Sequence, residues 1–141
     1  MKKSVALLVA LFIFDRLVKI YFWTNRASFQ DDFFYVLGNK SIAFSLSLPG
    51  MTLYPILCLL FFYITWQMLK SYKKKESTAF WWGFIFIGAF SNLIDRLRWG
   101  AVVDYIKIGW WPVFNLSDSL IVVGIAMLLI AEIQRDKKIP R

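Results

Sequence analysis

The sequence predicts an all-α membrane protein with four transmembrane helices and a small β-element on the outer face after the first helix. The chain has 141 residues, of which 59% are hydrophobic, and its mean hydropathy is +0.56. A typical soluble domain has roughly 45–50% apolar residues even with glycine counted, and a domain this small buries only part of its surface. The hydrophobic residues are also gathered into four long runs. We therefore expect one integral membrane domain over residues 1–141.

Each of the four runs is long enough to form a membrane-spanning helix, which needs about 20 mostly apolar residues. They are far longer than the roughly ten-residue strands of an outer-membrane barrel. The runs cover residues 4–23, 51–69, 77–96 and 113–131. Lys2 and Lys3 before the first run resemble the start of a signal peptide, but no small-residue cleavage site follows, so we expect this span to be retained.

Basic residues predict the orientation of these helices. Lysine and arginine cluster at the N-terminus, in the connection 70–76 and in the C-terminal tail. The connection 24–50 carries only Arg26 and Lys40 in 27 residues. The positive-inside rule therefore places both termini and the second connection in the cytoplasm, and the first and third connections outside.

The first outer connection has the pattern of a β-hairpin. Apolar and small polar residues alternate over 42–48, and 33–37 is a second β-prone run. Gly38, Asn39 and Lys40 between them are typical of a turn. We expect a hairpin with one apolar face, lying on the outer membrane surface or capping the helices.

Composition excludes several kinds of chemistry. The chain has no histidine and a single cysteine, Cys58, so His-based triads, His-ligated metal sites and disulfides within the chain cannot form. The net charge of +8 would favour nucleic-acid binding in a soluble protein. Here the basic residues flank apolar runs, so we expect membrane lipid rather than nucleic acid as partner.

Charged residues inside apolar spans are costly and are usually functional. Asp15 and Lys19 lie four residues apart on one face of the first span, so they either form an intrahelical ion pair or also organise an outward-facing site. Asn92 and Arg96 share a face at the outer end of the third span. Either they form an ordinary helix end with a snorkelling arginine, or they belong to that site.

Asp118 is the most informative residue, because it lies about one and a half turns into an otherwise uncharged span, with Asn115 on the same face. The simpler interpretation is that the segment Asn115–Asp118 caps the helix. Asp104 lies in the apolar run 101–106 of the third connection, as a strand-surface charge or as a positioned acid. Two carboxylates on one side of the membrane could share a proton, so that one activates a water and the other donates a proton.

The chain resembles the lipoprotein signal peptidase (signal peptidase II) family over essentially its whole length. The matching motifs are SNLIDR at 91–96, GAVVDYI at 100–106 and WPVFNLSD at 111–118, with DRLVK at 15–19 and NKSIAFS at 39–45. The chain departs from the family pattern at Arg16, Ser41, Ser91, Tyr105 and Ser117, and none of these departures removes a charge.

The resemblance implies a bacterial inner-membrane aspartic peptidase that removes the signal peptide of diacylglyceryl-modified prolipoproteins, just before the lipid-modified cysteine. Asp104 and Asp118 match the catalytic pair. The polar residues that match the site lining or its support are Asn39, Asn92, Arg96, Asn115, Asp15 and Lys19. We expect a monomer with no cofactor or metal and an active site near the outer face.

Two other classes of protein are weighed against this one. A small proton-coupled transporter would use Asp118 or Asp15 as its binding carboxylate and leaves Asp104 without a role. A non-catalytic scaffold leaves both Asp104 and Asp118 unexplained, and it predicts that neutralising either is harmless.

Overall fold

A computed structural model describes residues 2–31, 33–40 and 50–136 of the chain. Its elements follow one another as four helices, a short 3₁₀ turn at Arg26–Ser28 and two strands. The helices are α1 (Lys2–Thr24), α2 (Gly50–Lys73), α3 (Thr78–Trp99) and α4 (Leu116–Asp136), and the strands are β1 (Phe34–Asn39) and β2 (Val102–Ile106). Each apolar run thus forms one helix of 21 to 24 residues.

Two of the helices in the described part of the chain are long and apolar enough to cross a membrane by themselves, α2 over Thr52–Lys73 and all of α4. Helix α1 is interrupted by the charged residues Asp15, Arg16 and Lys19. The structure thus supports a mostly helical protein, and the crossing of the membrane by all four helices remains a prediction.

The two strands form an antiparallel sheet in which Leu37 lies opposite Asp104 and Asn39 opposite Val102. The expected β-element is therefore present, but its described partner differs from the predicted one. The predicted second strand, 42–48, lies outside the described residues. Reasoning from neighbouring residues alone could not find β2, because the pairing joins segments separated by two helices. Since β1 and β2 belong to the first and third connections, both connections lie at the same end of the helices.

Helix α3 lies at the centre of the fold and packs against α1, α2 and α4. Gly88 permits the close approach of α4, because a Cβ there would lie 2.5 Å from the Ser117 carbonyl oxygen. Gly100 ends α3 in a left-handed conformation with φ 73°, and its N–H donates to the Arg96 carbonyl. The chain then turns directly into β2.

The sheet rests on α1 through an aromatic core. The rings of Phe22 and Tyr105 stack with centroids 4.5 Å apart, and Val36 and Val103 are buried beside them. Four of the five residues of β2 are buried. This packing fixes β2 against the ends of α1 and α3, and Asp104 with it.

Candidate active site

Asp104 and Asp118 are held together by one residue, Asn115. The Asn115 side-chain Nδ2 donates to Asp104 Oδ1 at 2.6 Å, and the Asn115 backbone N–H donates to Asp118 Oδ2 at 3.2 Å. Asn115 is completely buried, so its side chain has little freedom to turn away. The two carboxylates named by the sequence therefore meet at the start of α4, where β2 delivers Asp104.

Asp104 is only 1% exposed and is hydrogen-bonded at both carboxylate oxygens. Its second oxygen, Oδ2, accepts from Asn39 Nδ2 at 2.8 Å. Burial, together with the nearby charge of Asp118, raises the pKa of Asp104 from 3.8 to about 7, and the bonds from Asn39 and Asn115 oppose this only in part. Near neutral pH, Asp104 is thus poised between its protonated and ionised forms.

Asp118 and Asn115 also cap α4 reciprocally. The Asn115 side-chain oxygen accepts the Asp118 backbone N–H at 2.9 Å, while Asp118 accepts the Asn115 N–H. This is the geometry of a capping box, with Asn115 at the N-cap and Asp118 three residues later. The capping interpretation is therefore correct, and it is compatible with a site because the cap uses Oδ2 of Asp118, while Oδ1 accepts from Asn92.

Asn92 connects Asp118 to α1. Its Nδ2 donates to Asp118 Oδ1 at 2.8 Å, and its Oδ1 accepts from Lys19 Nζ at 2.7 Å. Lys19 is completely buried and also lies 2.8 Å from Asp95 Oδ2, whereas Asp15, its expected partner, is 3.8 Å away. The interhelical contacts of Lys19 are thus shorter than its intrahelical one, and they reach the aspartate pair.

Asp95 is a central residue of this network that the sequence prediction did not select. Its Oδ1 accepts from Arg16 at 2.5 Å, and its Oδ2 accepts from Lys19 and from the Val103 backbone N–H at 3.2 Å. Val103 directly precedes Asp104, and Lys19 also binds Asn92, the partner of Asp118. Asp95 therefore supports both carboxylates of the pair. The sequence signal that could have identified it is its position as a carboxylate inside the apolar run 77–96, three residues after Asn92.

Other polar side chains complete the network. Ser91 donates to Asp15 Oδ2 and accepts from Arg16 at 2.9 Å, so two of the residues at which the chain departs from the family pattern are in contact. Arg96 is buried and donates to the Asn92 carbonyl oxygen at 3.3 Å, which brings its positive charge to the same region. The Tyr105 hydroxyl accepts from the Leu116 N–H at 3.2 Å and so holds the first turn of α4. Burial raises the pKa of this phenol, which keeps it neutral.

The structure thus brings every residue selected from the sequence into one connected cluster. Its members are Asp15, Lys19, Asn39, Asn92, Arg96, Asp104, Asn115 and Asp118. Amide donors surround two carboxylates, while Lys19, Arg16 and Arg96 supply positive charge. Such a site can hold one proton on a carboxylate pair and keep the other carboxylate ionised.

Comparison with known proteins agrees with these motifs. The family model for signal peptidase (SPase) II matches residues 7–134. A lipoprotein signal peptidase of Geobacter sulfurreducens is 32% identical over 133 residues, covering 89% of this chain and 75% of the relative. One of Desulfitobacterium hafniense is 37% identical over 135 residues, covering 88% of each chain.

Solved structures show the same fold. A bacterial membrane enzyme determined by the in meso method superposes with a TM-score of 0.82 at 24% identity, covering 100% of this chain and 94% of the other. A second such enzyme superposes with a TM-score of 0.75 at 25% identity, covering 93% and 92% of the two chains.

Proposed function

The chain belongs to the signal peptidase II family, and from this premise and its buried aspartates we propose that it is an aspartic endopeptidase of the membrane. Its proposed substrate is a prolipoprotein that already carries diacylglycerol on its cysteine. The bond cleaved is the one just before that cysteine, so that the signal peptide is released. The single observation that best supports the proposal is the junction of Asp104 and Asp118 through Asn115.

The proposed reaction uses one water and one shared proton. The ionised carboxylate of the pair removes a proton from the water, whose oxygen adds to the scissile carbonyl carbon, while the protonated carboxyl donates its proton to the carbonyl oxygen. Collapse of the tetrahedral species breaks the carbon–nitrogen bond. The proton taken from water passes to the leaving amine, and a hydroxyl of the tetrahedral species returns its proton to the other carboxylate, so that the pair again holds one proton. Because the two carboxylates are coupled, the apparent pKa values belong to the pair.

The surrounding residues are suited to this chemistry. The pKa of Asp104, raised to about 7 by burial and by Asp118, allows the pair to retain a proton near neutral pH. Asn39 and Asn115 fix the plane of the Asp104 carboxyl, and Asn92 fixes that of Asp118. Because these amide groups are already oriented, they do not have to reorient as charge develops, whereas water dipoles would.

In the proposed setting, all four helices cross the bacterial inner membrane, with both termini cytoplasmic and the aspartates near the outer face. The β1–β2 sheet then lies on the outer side, and the clefts between the helices hold the lipid chains and the signal-peptide helix. The protein acts as a monomer.

Cleavage of a diacylglyceryl-modified prolipoprotein, followed by gel shift in detergent, tests the proposal. We expect the wild type to cleave, insensitive to chelators and serine reagents, and Asp104→Asn and Asp118→Asn to be inactive. Asp136→Asn, an exposed aspartate at the far end of α4, is the matched control and retains activity. Cleavage by both site variants would refute the aspartic mechanism, and absence of cleavage by the wild type would refute the assigned substrate.

A further inference from the structure

One side of α2 presents a continuous row of large apolar side chains away from α3. Leu59, Phe62, Trp66 and Leu69 are 70%, 73%, 54% and 48% exposed. Their spacing of three and four residues places them along one line of the helix. The opposite side packs on α3, where the ring of Phe61 lies 5.1 Å from that of Phe86.

The row ends in a basic pocket. Trp66 and Leu69 form its apolar wall, three lysines line the rest, and its volume is about 350 Å³. The lysines are Lys70, Lys73 and Lys74. Lys70 Nζ lies 5.3 Å from the centre of the Trp66 ring, which joins the charged and apolar parts of the pocket. The apolar stretch of α2 that could span a membrane ends at Lys73, so the pocket lies where such a helix would emerge from the hydrocarbon.

A fourth lysine next to the pocket occupies an unfavourable backbone conformation. Lys75 has φ 55°, in the left-handed region that favours glycine at the end of a helix. Its N–H donates to the Tyr72 carbonyl and the next N–H donates to the Ser71 carbonyl, so the turn is closed. Glu76, the acid of this turn, accepts a bond from the Thr78 hydroxyl at 3.2 Å. The turn therefore places a fourth lysine, Lys75, at a position whose backbone conformation favours glycine.

We propose that this pocket binds the headgroup of an anionic phospholipid. The phosphate lies among Lys70, Lys73 and Lys74, and one acyl chain follows the row from Trp66 toward Leu59. Polybasic segments beside a membrane helix attract anionic lipids, and the apolar row gives the acyl chain a contact that a soluble anion could not use. A second copy of this chain is a poorer occupant, because side-by-side pairing of parallel helices through this row would bring two lysine clusters together.

Native mass spectrometry of the full-length protein, released from nanodiscs, tests this directly. We expect the wild type to retain phosphatidylglycerol at least tenfold more than phosphatidylcholine. The variant K70Q/K73Q/K74Q loses this preference, whereas K70R/K73R/K74R keeps it, because the charge remains. The control K3Q/R26Q/R135Q removes three charges elsewhere and behaves as the wild type.

Several outcomes would overturn the proposal. They are equal retention of the two lipids by the wild type, an unchanged preference in the glutamine variant, and release of the lipid by millimolar inorganic phosphate alone. A dimer that the glutamine variant stabilises would instead assign the row to a second copy. The arginine variant changes the same three positions but keeps their charge. It must therefore still bind the lipid if charge is what holds it, and its binding shows that substitution at these positions does not by itself disrupt the pocket. The readout is lipid retention, so the result is independent of the proposed peptidase reaction.

Discussion

Replacing Asp104 with asparagine should abolish cleavage and at the same time stabilise the protein above neutral pH. An asparagine presents one carbonyl oxygen and one NH₂ group, much as a protonated carboxyl presents one carbonyl oxygen and one hydroxyl. The variant therefore imitates the protonated form of Asp104, with Asn39 and Asn115 still available as neighbours. It lacks the ionised form, whose burial is unfavourable.

The magnitude follows from the pKa of Asp104, which burial and the charge of Asp118 raise from 3.8 to about 7. Because the folded protein holds this proton more tightly than the unfolded chain, the contribution of Asp104 to stability is complete below about pH 4 and is lost as the pH rises to about 7. The loss is about 4 kcal/mol, taking 1.36 kcal/mol for each tenfold change in proton affinity. At roughly 3 °C per kcal/mol, the melting temperatures of variant and wild type should diverge by roughly 10 °C between acidic and alkaline pH.

Thermal unfolding of both proteins in the same detergent, from about pH 4 to about pH 8, measures this divergence. The two curves should coincide at the acidic end, and the variant should melt higher at the alkaline end. Asp136→Asn is the control, because Asp136 is exposed and lies at the far end of α4 from the site. A constant difference between variant and wild type across this range would refute the idea that Asp104 is a destabilising, proton-binding group.

Three further substitutions separate folding from chemistry. Asn115→Ser keeps a helix-capping oxygen but removes the amide that donates to Asp104. The free energy of unfolding should therefore fall by less than about 1 kcal/mol, whereas the rate of cleavage should fall at least tenfold. Gly88→Ala places a Cβ 2.5 Å from a carbonyl oxygen of α4, and we expect a loss of about 1–3 kcal/mol in denaturant unfolding together with reduced turnover. Arg16→Gln removes the ion pair to Asp95 while Lys19 remains in contact; unfolding should show a loss of about 2 kcal/mol, and kinetics should show a lower kcat with little change in KM.

Local sequence patterns predicted the helices and selected the two carboxylates, Asp104 and Asp118, that Asn115 joins in the structure. The apolar runs predicted the helices because each run has the roughly 20 apolar residues that a membrane-spanning helix needs. Helical spacing likewise placed Asn115 beside Asp118, since residues three apart share a face. Asp104 could be recognised because a carboxylate within an apolar segment is energetically unfavourable unless it is paired or functional.

The remaining features depend on contacts between distant segments. Asp95 lies at the end of the third apolar run, and only its contacts with α1 and β2 show how many groups it supports. The pairing of β1 with β2 could not be predicted from local patterns, because it joins segments separated by two helices and is stabilised by the burial of Val36 and Val103 beside Phe22. Side-chain periodicity does not indicate which remote segment will pair with a given strand.

The pairing of β1 with β2 also ties the proposed activity to the completion of protein synthesis. Asn39 and Asp104 are bonded across 65 residues of sequence, and Asp118 is made later still. A nascent chain that has just reached β2 therefore holds one carboxylate without its partner and without the amide of Asn115. The proposed catalytic pair is therefore complete only after the first turn of α4 has been synthesised, and shorter translation products lack it.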